Sequence, residues 1–437
     1  MGNSTDYIAP ANRQCFGRRR AGLLTGAAVA ASALWRGGTG AARASTGPVP
    51  GKAGMLITGQ SNAGFFLEDG GIWTLNEGLA ALLGIERARF DPRLDGFNAI
   101  DGYALRDGAH RNPAMATTYG GTPLWAPGDR GAFLAHQVGA DPSRWPRGAA
   151  GQGLDRFVRE LLTNDDRADC LGILWLHTED DSRGKRMRDA ATHAEAIKRH
   201  LALIRAAFGR PAIGPGELPA YAWAPIPYGD SAEGHRAVRA ALAAVEADPR
   251  QNFRLAVPQT ADSEGRNGGR DWSHRDPEDL RAFARRAAYA IARDLRERNG
   301  LYDAGLPGAG PRVLRASAPD AATTIVTVVH DRGRSLKASR AALDGRGWSV
   351  LDDGRRSRGV RAIEFRGGDR IVLRHDPCSG PPERREIGYC LHGEQLGRGN
   401  AVTDDWSARG APPRGLDAAW RFDFPLQTTM LPVAVSD

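Results

Sequence analysis

The stretch Met55-Leu56-Ile57-Thr58-Gly59-Gln60-Ser61-Asn62 leads from a short apolar run into a glycine and three polar residues. Such a run predicts a buried strand whose last side chains lie at the carboxyl edge of a sheet, where open α/β folds bind their ligands. Ser61 is therefore a candidate nucleophile. The alternative is an ordinary strand-to-loop turn, because glycine, serine and asparagine are common turn residues. Residues further along the chain decide between the two.

Strand and helix patterns alternate after this stretch. Residues 171–176 are apolar throughout, which predicts a central strand of a parallel sheet. Further strands are predicted at 220–226 and 253–257, and helices at 154–162, 187–208, 232–246 and from Pro277, where Asp276 can cap the helix and Asp279 can bond back to the cap. Residues 65–150 have the composition of long irregular loops, with one short strand at 114–119. The alternation predicts an α/β domain with a parallel sheet and helices on both faces.

The C-terminal part has a different pattern. After a linker rich in glycine and proline at 304–311, short extended segments at 323–329, 363–365, 371–373 and 421–424 are separated by glycine and aspartate turns. This pattern predicts a small β-sandwich domain of immunoglobulin-like type over 312–437. No motif decides whether it binds glycan or braces the domain predicted over 45–303.

The first 44 residues have the pattern of an export signal. Arg18-Arg19-Arg20 precede a weakly apolar run at 21–34, and Ala42-Arg43-Ala44 is typical of a cleavage site. Paired arginines before Leu23-Leu24 make the segment similar to a twin-arginine signal. The alternative is an uncleaved membrane anchor, but the run is shorter than the roughly 20 apolar residues that span a bilayer. We therefore expect a periplasmic or secreted protein with no stable membrane insertion after cleavage.

Charge and cysteine content restrict the partners. Of the formal net charge of +8, +5 lies in residues 1–44, so the rest of the chain does not indicate a nucleic-acid partner. Among the four cysteines, Cys170 lies in an apolar run that predicts a buried thiol. Cys378 and Cys390 flank a polar segment, and we expect an oxidising compartment to join them by a disulfide. Their spacing matches no metal site.

A second motif, Asp271-Trp272-Ser273-His274, precedes the last predicted helix. An acid three residues before a histidine can hydrogen-bond the imidazole and leave its other nitrogen free to accept a proton. The alternative is a surface loop with an incidental histidine. Together with Ser61, however, the pair would supply a nucleophile, a base and an orienting acid.

With these residues the chain resembles the SGNH hydrolases, in particular the carbohydrate esterase and sialate O-acetylesterase group. Gly59-Gln60-Ser61-Asn62 matches the group's Gly-Gln-Ser-Asn turn, and residues 271–274 match its final Asp-x-x-His. Gly120-Gly121-Thr122 resembles its Gly-Gly-Thr segment, and residues 175–181 resemble its Trp-x-Gln-Gly-Glu-x-Asp block. The four features occur in the family's order across residues 53–298.

The resemblance implies a three-layer, flavodoxin-like α/β hydrolase domain that needs no metal or other cofactor. Its catalytic residues would be Ser61, Asp271 and His274. The oxyanion- and substrate-binding residues would be Gly120, Gly121, His177, Gln60, Asn62 and Glu179. The family has Gln and Gly where this chain has His177 and Thr178, so His177 either donates to the oxyanion or orients Glu179 or Ser61. The alternative for Glu179, and the reading for Asp181, is an acid that only fixes a loop. A metal site at these acids is less favoured, because no histidine accompanies them at ligand spacing.

The predicted reaction is hydrolysis of the O-acetyl ester of a carbohydrate or polysaccharide. Aromatic residues of the predicted loops either stack on sugar rings or pack against the core: Trp73, Phe97, Tyr103, Tyr119, Trp125 and Trp145. Two other functions stay open. One is an acetyltransferase that uses the same triad within exopolysaccharide machinery, and the other is a catalytically silent glycan-binding protein, which the altered residues 177 and 178 favour.

Overall fold

The structure, a computed structural model, describes residues 53–84, 122–127, 131–163, 169–176, 179–182, 189–214, 216–226, 232–269, 271–298, 305–352, 355–356, 359–391, 396–409 and 411–435. The predicted export signal and the strand predicted at 114–119 lie outside these residues. The strands are β1 (Ala53–Gly59), β2 (Trp125–Pro127), β3 (Leu134–His136), β4 (Asp169–Leu176), β5 (Ala220–Trp223), β6 (Phe253–Val257), β7 (Asp271–Arg275), β8 (Arg312–Ala318), β9 (Thr323–Val329), β10 (Leu336–Lys337), β11 (Trp348–Asp352), β12 (Arg355–Arg356), β13 (Val360–Arg366), β14 (Arg370–His375), β15 (Arg385–Tyr389), β16 (Thr403–Asp404) and β17 (Thr429–Val435). The helices are α1 (Ser61–Glu68), α2 (Gly71–Leu83), α3 (Ala149–Thr163), α4 (Ala190–Ala207), α5 (Ala232–Ala247), α6 (Pro277–Arg298) and α7 (Arg340–Leu343).

The strands β1, β4, β5 and β6 form a parallel sheet in that order. The helices α3, α4 and α5 connect or flank them, as the alternating pattern predicts. The predicted α/β class with a parallel sheet is therefore confirmed. The strand predicted at 253–257 is β6, and the helix predicted at 232–246 is α5, which is one residue longer.

Helices cover both faces of this sheet. Alternate residues of each strand point to opposite faces and so pack into two different cores. Met55 and Ile57 pack into a core with residues of α1, α2 and α6. Leu56, between them, packs into a core with residues of α3, α4 and α5. β4 behaves in the same way, since Leu174 and Trp175 enter opposite cores. This two-sided burial explains why the strand sequences are apolar at nearly every position.

The expectation of irregular structure over 65–150 is wrong for its first part, because α1 and α2 fill most of 61–83. Gly70 and Gly84 adopt left-handed conformations at the two ends of α2. Between them Ile72, Leu75 and Leu79 recur at helical spacing and are buried, a pattern visible in the sequence. No helix in the described part of the chain is long and apolar enough to cross a membrane.

The start of α6 is capped as predicted, although only in part. Asp276 Oδ1 accepts hydrogen bonds from the Glu278 and Asp279 N–H groups, both at 2.9 Å. The predicted return of the Asp279 side chain to the cap is wrong. The Asp279 carboxylate accepts instead from the Glu264 N–H, because the Asp276 N–H already donates to the Glu264 carbonyl.

The C-terminal strands form one eight-stranded ladder in the order β12-β11-β15-β17-β8-β9-β14-β13. Its pairs are antiparallel except for β17 and β8, which run parallel. The segment 421–424, predicted as a strand, is not one. Instead, the Asp404 N–H donates to the Phe424 carbonyl, and the Phe424 N–H donates to Asp404 Oδ1. The Phe422 and Phe424 rings pack near Tyr289 of α6. A two-sheet sandwich stays a prediction.

The predicted disulfide between Cys378 and Cys390 is also wrong, since both residues are buried thiols. Cys378 follows β14 and its N–H donates to Ala321, before β9. Cys390 follows β15 and its N–H donates to Gly347, before β11. The backbone of each cysteine is thus tied to a different pair of strands.

Candidate active site

Ser61 is the first residue of α1 and follows Gly59, the last residue of β1, by two positions. Gln60 precedes the helix, and its carbonyl accepts the Ala63 N–H at 2.9 Å. Gly59 lies opposite Leu176 in the parallel pair of β1 and β4, and a Cβ at Gly59 would collide with the Leu176 carbonyl oxygen. Because glycine has no side chain, the ends of β1 and β4 can approach each other this closely. Ser61 stands there at a helix N-terminus, where the first backbone N–H groups have no partner within the helix.

His274 and Asp271 lie on β7, a segment that the sequence predicts as a loop. β7 is extended because it forms a small hairpin, in which Gly265 bridges to Arg275 and Arg266 bridges to Asp271. Strict alternation would put Asp271 and His274 on opposite faces of the strand, since they are three residues apart. The hydrogen bond between their side chains instead holds the two together.

The structure brings Ser61, His274 and Asp271 together in one hydrogen-bonded chain. His274 Nε2 lies 2.9 Å from Ser61 Oγ. His274 Nδ1 lies 2.6 Å from Asp271 Oδ2. The His274 and Asp271 side chains are 25% and 31% exposed, so a small substrate can reach them from solvent.

Ser273 holds the second oxygen of the Asp271 carboxylate, a contact that the sequence did not indicate. Its hydroxyl and its N–H donate to Asp271 Oδ1 at 2.8 and 3.2 Å. Burial acts to raise the pKa of Asp271, but hydrogen bonds from His274 and Ser273 outweigh it and hold this pKa below its ordinary value. Asp271 is therefore a carboxylate at neutral pH, as an orienting partner of an imidazole must be.

One wall of the site comes from α1. Phe65 lies one helical turn after Ser61, and its ring meets the His274 imidazole edge-on with centroids 4.9 Å apart. The Arg266 guanidinium lies 3.8 Å from the centroid of the Phe65 ring and pairs with Asp69 at 2.5 Å. Sequence reasoning missed this wall, although Ser61, Phe65 and Asp69 are spaced four residues apart and so share a helix face.

Asn62 and Glu179 lie buried beneath His274. Asn62 Nδ2 donates to Glu179 Oε2 at 2.8 Å and to the Ser273 carbonyl at 3.0 Å, and Asn62 Oδ1 accepts the Arg275 N–H at 3.0 Å. The Arg275 guanidinium lies 3.4 Å from Glu179 Oε1 and donates to the Ala224 carbonyl at 3.1 Å. Arg275, which sequence reasoning did not assign, is therefore the counter-charge of Glu179.

Burial shifts both members of this ion pair toward their neutral forms. It raises the pKa of Glu179, against the opposing effects of Arg275 and Asn62. It lowers the pKa of Arg275 to about 10, against the opposing effect of Glu179. Arg275 stays charged at neutral pH, so a carboxylate at Glu179 is the state that satisfies it.

Asp181 fixes the segment that follows the predicted oxyanion glycines. Its carboxylate accepts the Leu124 N–H at 3.0 and 3.2 Å. Gly120, Gly121 and His177 lie outside the described residues.

The described aromatic candidates differ in exposure. Trp145 is buried and donates to the Ala140 carbonyl at 3.1 Å, so it belongs to the core. Trp125 donates to His193 Nδ1 at 3.2 Å and packs against Trp145. Trp73 on α2 is 54% exposed. Phe97, Tyr103 and Tyr119 lie outside the described residues.

No protein-family model matches the chain, and no curated protein matches it. Among solved structures, the carbohydrate acetylesterase XAC1771 from Xanthomonas citri aligns with a TM-score of 0.39 and 14% identity, over 60% of this chain and 50% of that one. The N-terminal part of the bacterial S-layer protein SbsC aligns with a TM-score of 0.17 and 12% identity, over 64% of this chain and 48% of that one. The chain thus spans half or less of the length of each of these two structures. Similarities of this size do not establish a shared fold.

Proposed function

We propose that this chain is a serine esterase that removes O-acetyl groups from a carbohydrate. The observation that carries the proposal is the hydrogen-bonded chain from Ser61 Oγ through His274 to Asp271, with distances of 2.9 and 2.6 Å. A nucleophile within hydrogen-bond reach of a base, which is itself oriented by a third group, is the arrangement that acyl transfer requires. The proposed substrate, an acetylated carbohydrate, rests on the resemblance of the motifs to those of the carbohydrate esterase group.

In the proposed reaction His274 Nε2 takes the Ser61 proton as Oγ attacks the ester carbonyl. Asp271 stabilises the imidazolium that forms, and its lowered pKa keeps it negatively charged throughout. His274 then gives the proton to the leaving sugar hydroxyl. Water, deprotonated in turn by His274, releases acetate from Ser61.

The oxyanion would be held by the Ser61 N–H, which lies at the N-terminus of α1. The first N–H groups of a helix favour negative charge, because they lack partners and the helix dipole is positive there. Gly120, Gly121 and His177 remain proposed donors, on the strength of the family resemblance. One such donor contributes about 3 kcal/mol to transition-state stabilisation.

The proposed compartment is the periplasm or the exterior, and its support is the arginine-rich N-terminal segment. An acetylated polysaccharide in that compartment would be the natural substrate.

The test is hydrolysis of p-nitrophenyl acetate and of acetylated xylan by the purified protein and by Ser61→Ala and His274→Ala. Each substitution is expected to lower kcat by about 10³-fold or more, because triad members act as a unit. A fluorophosphonate probe should label the unmodified protein at Ser61 and should not label Ser61→Ala.

The matched control is Ser143→Ala, which removes an exposed hydroxyl from a short turn. It should keep the full rate. Equal activity in Ser61→Ala and the unmodified protein would exclude the esterase mechanism. Acetate appearing on an added glycan rather than in solution would instead identify an acetyltransferase.

A further inference from the structure

The Asn62 side chain holds both peptide groups that flank His274. Its Nδ2 donates to the carbonyl of Ser273, on the N-terminal side of His274, at 3.0 Å. Its Oδ1 accepts the N–H of Arg275, on the C-terminal side, at 3.0 Å. A neighbouring strand makes the same pair of hydrogen bonds to an extended residue in an antiparallel sheet. The amide of Asn62 therefore takes the place of a partner strand for β7 at His274.

Both N–H groups of the Asn62 amide are occupied within the protein. One donates to Ser273 and the other to Glu179 Oε2 at 2.8 Å. An amide has only two N–H donors. Asn62 was predicted to bind the oxyanion or the substrate, but both N–H groups of its side chain are already used within the protein. Its chemistry is directed at the backbone that carries the base.

Glu179 and Arg275 fix the orientation of this amide. Glu179 accepts an Asn62 N–H on one oxygen and faces the Arg275 guanidinium at 3.4 Å with the other. Because a carboxylate only accepts, the Asn62 nitrogen must face it and the Asn62 oxygen must face the Arg275 N–H. Neither group is more than a few per cent exposed, so water does not compete.

We propose that Asn62 is a positioning residue that sets the distance between the base and the nucleophile. Asn62 is joined to Ser61 by one peptide bond and to both peptide groups of His274 by hydrogen bonds. Movement of α1 relative to β7 therefore has to break buried hydrogen bonds before it can separate Ser61 Oγ from His274 Nε2. This role rests on the proposed function, since it matters only if these two atoms react.

The experiment compares Asn62→Ala with the unmodified protein on p-nitrophenyl acetate. Loss of the amide should lower kcat by about 100-fold, the effect expected of a misplacement of roughly 1 Å, and should leave KM within about twofold. The second readout is the low-field proton resonance of His274 Nδ1–H, assigned by its absence from His274→Gln. It should shift or broaden in Asn62→Ala, because the imidazole no longer has a fixed position against Asp271.

The matched control is Asn76→Ala, since Asn76 is also a buried asparagine but lies on α2. It should leave kcat and the His274 resonance unchanged. If Asn62→Ala does not fold, Asn62→Asp is examined: it keeps the acceptor for Arg275 and loses the two N–H donors. Its rate relative to the unmodified protein should rise toward acid pH, where the carboxyl group introduced by the substitution is protonated and can donate to Glu179 again.

An unchanged kcat and an unchanged resonance in Asn62→Ala would overturn the proposal. So would failure of both variants to fold while Asn76→Ala folds, because Asn62 would then serve the fold alone. The failure of the proposed function is a separate result. In that case Ser61→Ala keeps full activity, whereas the resonance still reports how Asn62 positions His274.

Discussion

Glu179 and Arg275 form an ion pair in which the side chains are only 5% and 2% exposed. Burying two charges is costly, and mutual attraction offsets that cost only when both partners are present. Arg275 also donates to the Ala224 carbonyl and lies 4.2 Å from the centroid of the Phe283 ring, so it cannot turn to solvent. Through this pair, the position of the backbone after His274 depends on the segment that follows β4, which carries Glu179.

Glu179→Gln is expected to lower the free energy of unfolding by about 3–5 kcal/mol, the usual cost of removing one partner of a buried pair. The glutamine has a single acceptor oxygen, so it can satisfy Asn62 or Arg275 but not both. Urea unfolding followed by tryptophan fluorescence measures the change.

Glu195→Gln is the control for this substitution. Glu195 pairs with Lys198 at 2.8 Å but is 45% exposed. Such surface pairs contribute about 0–1 kcal/mol. Equal losses in the two variants would show that the Glu179 pair has no special importance.

Local motifs allowed Ser61, Asp271 and His274 to be predicted as one group, because together they supply a nucleophile, a base and an orienting acid. The roles of Asn62 and Glu179 could not be predicted in the same way. Their partners, the peptide groups around His274 and the Arg275 side chain, lie more than 90 positions away in the chain. A side chain that binds substrate and one that binds backbone look the same in a sequence.

At the level of single elements, the first turn of α6 combines several acids behind the site. Asp279 is buried, and burial raises its pKa to about 7, with Asp262 and Asp276 adding to the effect and the Glu264 N–H and Arg398 opposing it. Arg398 bonds both oxygens of Asp276 at 2.7 and 2.8 Å. A buried acid with a raised pKa is stable in the fold mainly in its protonated form.

The raised pKa predicts a stability that falls as the pH rises. Between about pH 4 and pH 7 the folded chain keeps a proton on Asp279 that the unfolded chain has released. The free energy of unfolding therefore decreases through this window, by about 4 kcal/mol in total. Asp279→Asn removes the titrating group and keeps an acceptor for the Glu264 N–H. The variant should match the unmodified protein near pH 4 and exceed it in stability at pH 8, as measured by urea unfolding across that range.

Glu278→Gln, on the same turn but exposed, is the control and should leave the pH dependence unchanged. If Asp279→Asn and the unmodified protein lose stability in parallel from pH 4 to pH 8, Asp279 is not the titrating group.

Elements with a strong apolar period could be predicted to within a few residues, as β6 and α5 show. Elements whose conformation depends on distant partners could not. β7 is extended because it pairs with residues 265–266, and 421–424 is irregular because Asp404 takes up the Phe424 backbone groups. A composition rich in glycine also concealed α2, where Gly70 and Gly84 mark the helix ends rather than a loop.

The described residues from Ala53 onward belong to one compact unit. Leu416, Trp420 and Phe424 enter the same core as α2 and α6. Tyr289 of α6 donates to the Trp420 carbonyl at 2.8 Å. The C-terminal segment thus completes a core beneath the sheet that carries Ser61, which favours the bracing role over a freely attached module.

The Trp420 ring packs so closely on α2 that a Cβ at Gly78 would collide with it. Trp420→Ala should therefore cost about 3–5 kcal/mol, the usual loss for a large buried aromatic side chain. Because the ring joins α2, α6 and the C-terminal segment, esterase activity and tryptophan fluorescence should be lost at the same lowered urea concentration.

Trp73→Ala is the control, since Trp73 lies on the same helix but is 54% exposed. The midpoint of its urea unfolding should hardly move. Activity that survives beyond the fluorescence transition of Trp420→Ala would mean that the candidate catalytic residues fold independently of the C-terminal segment.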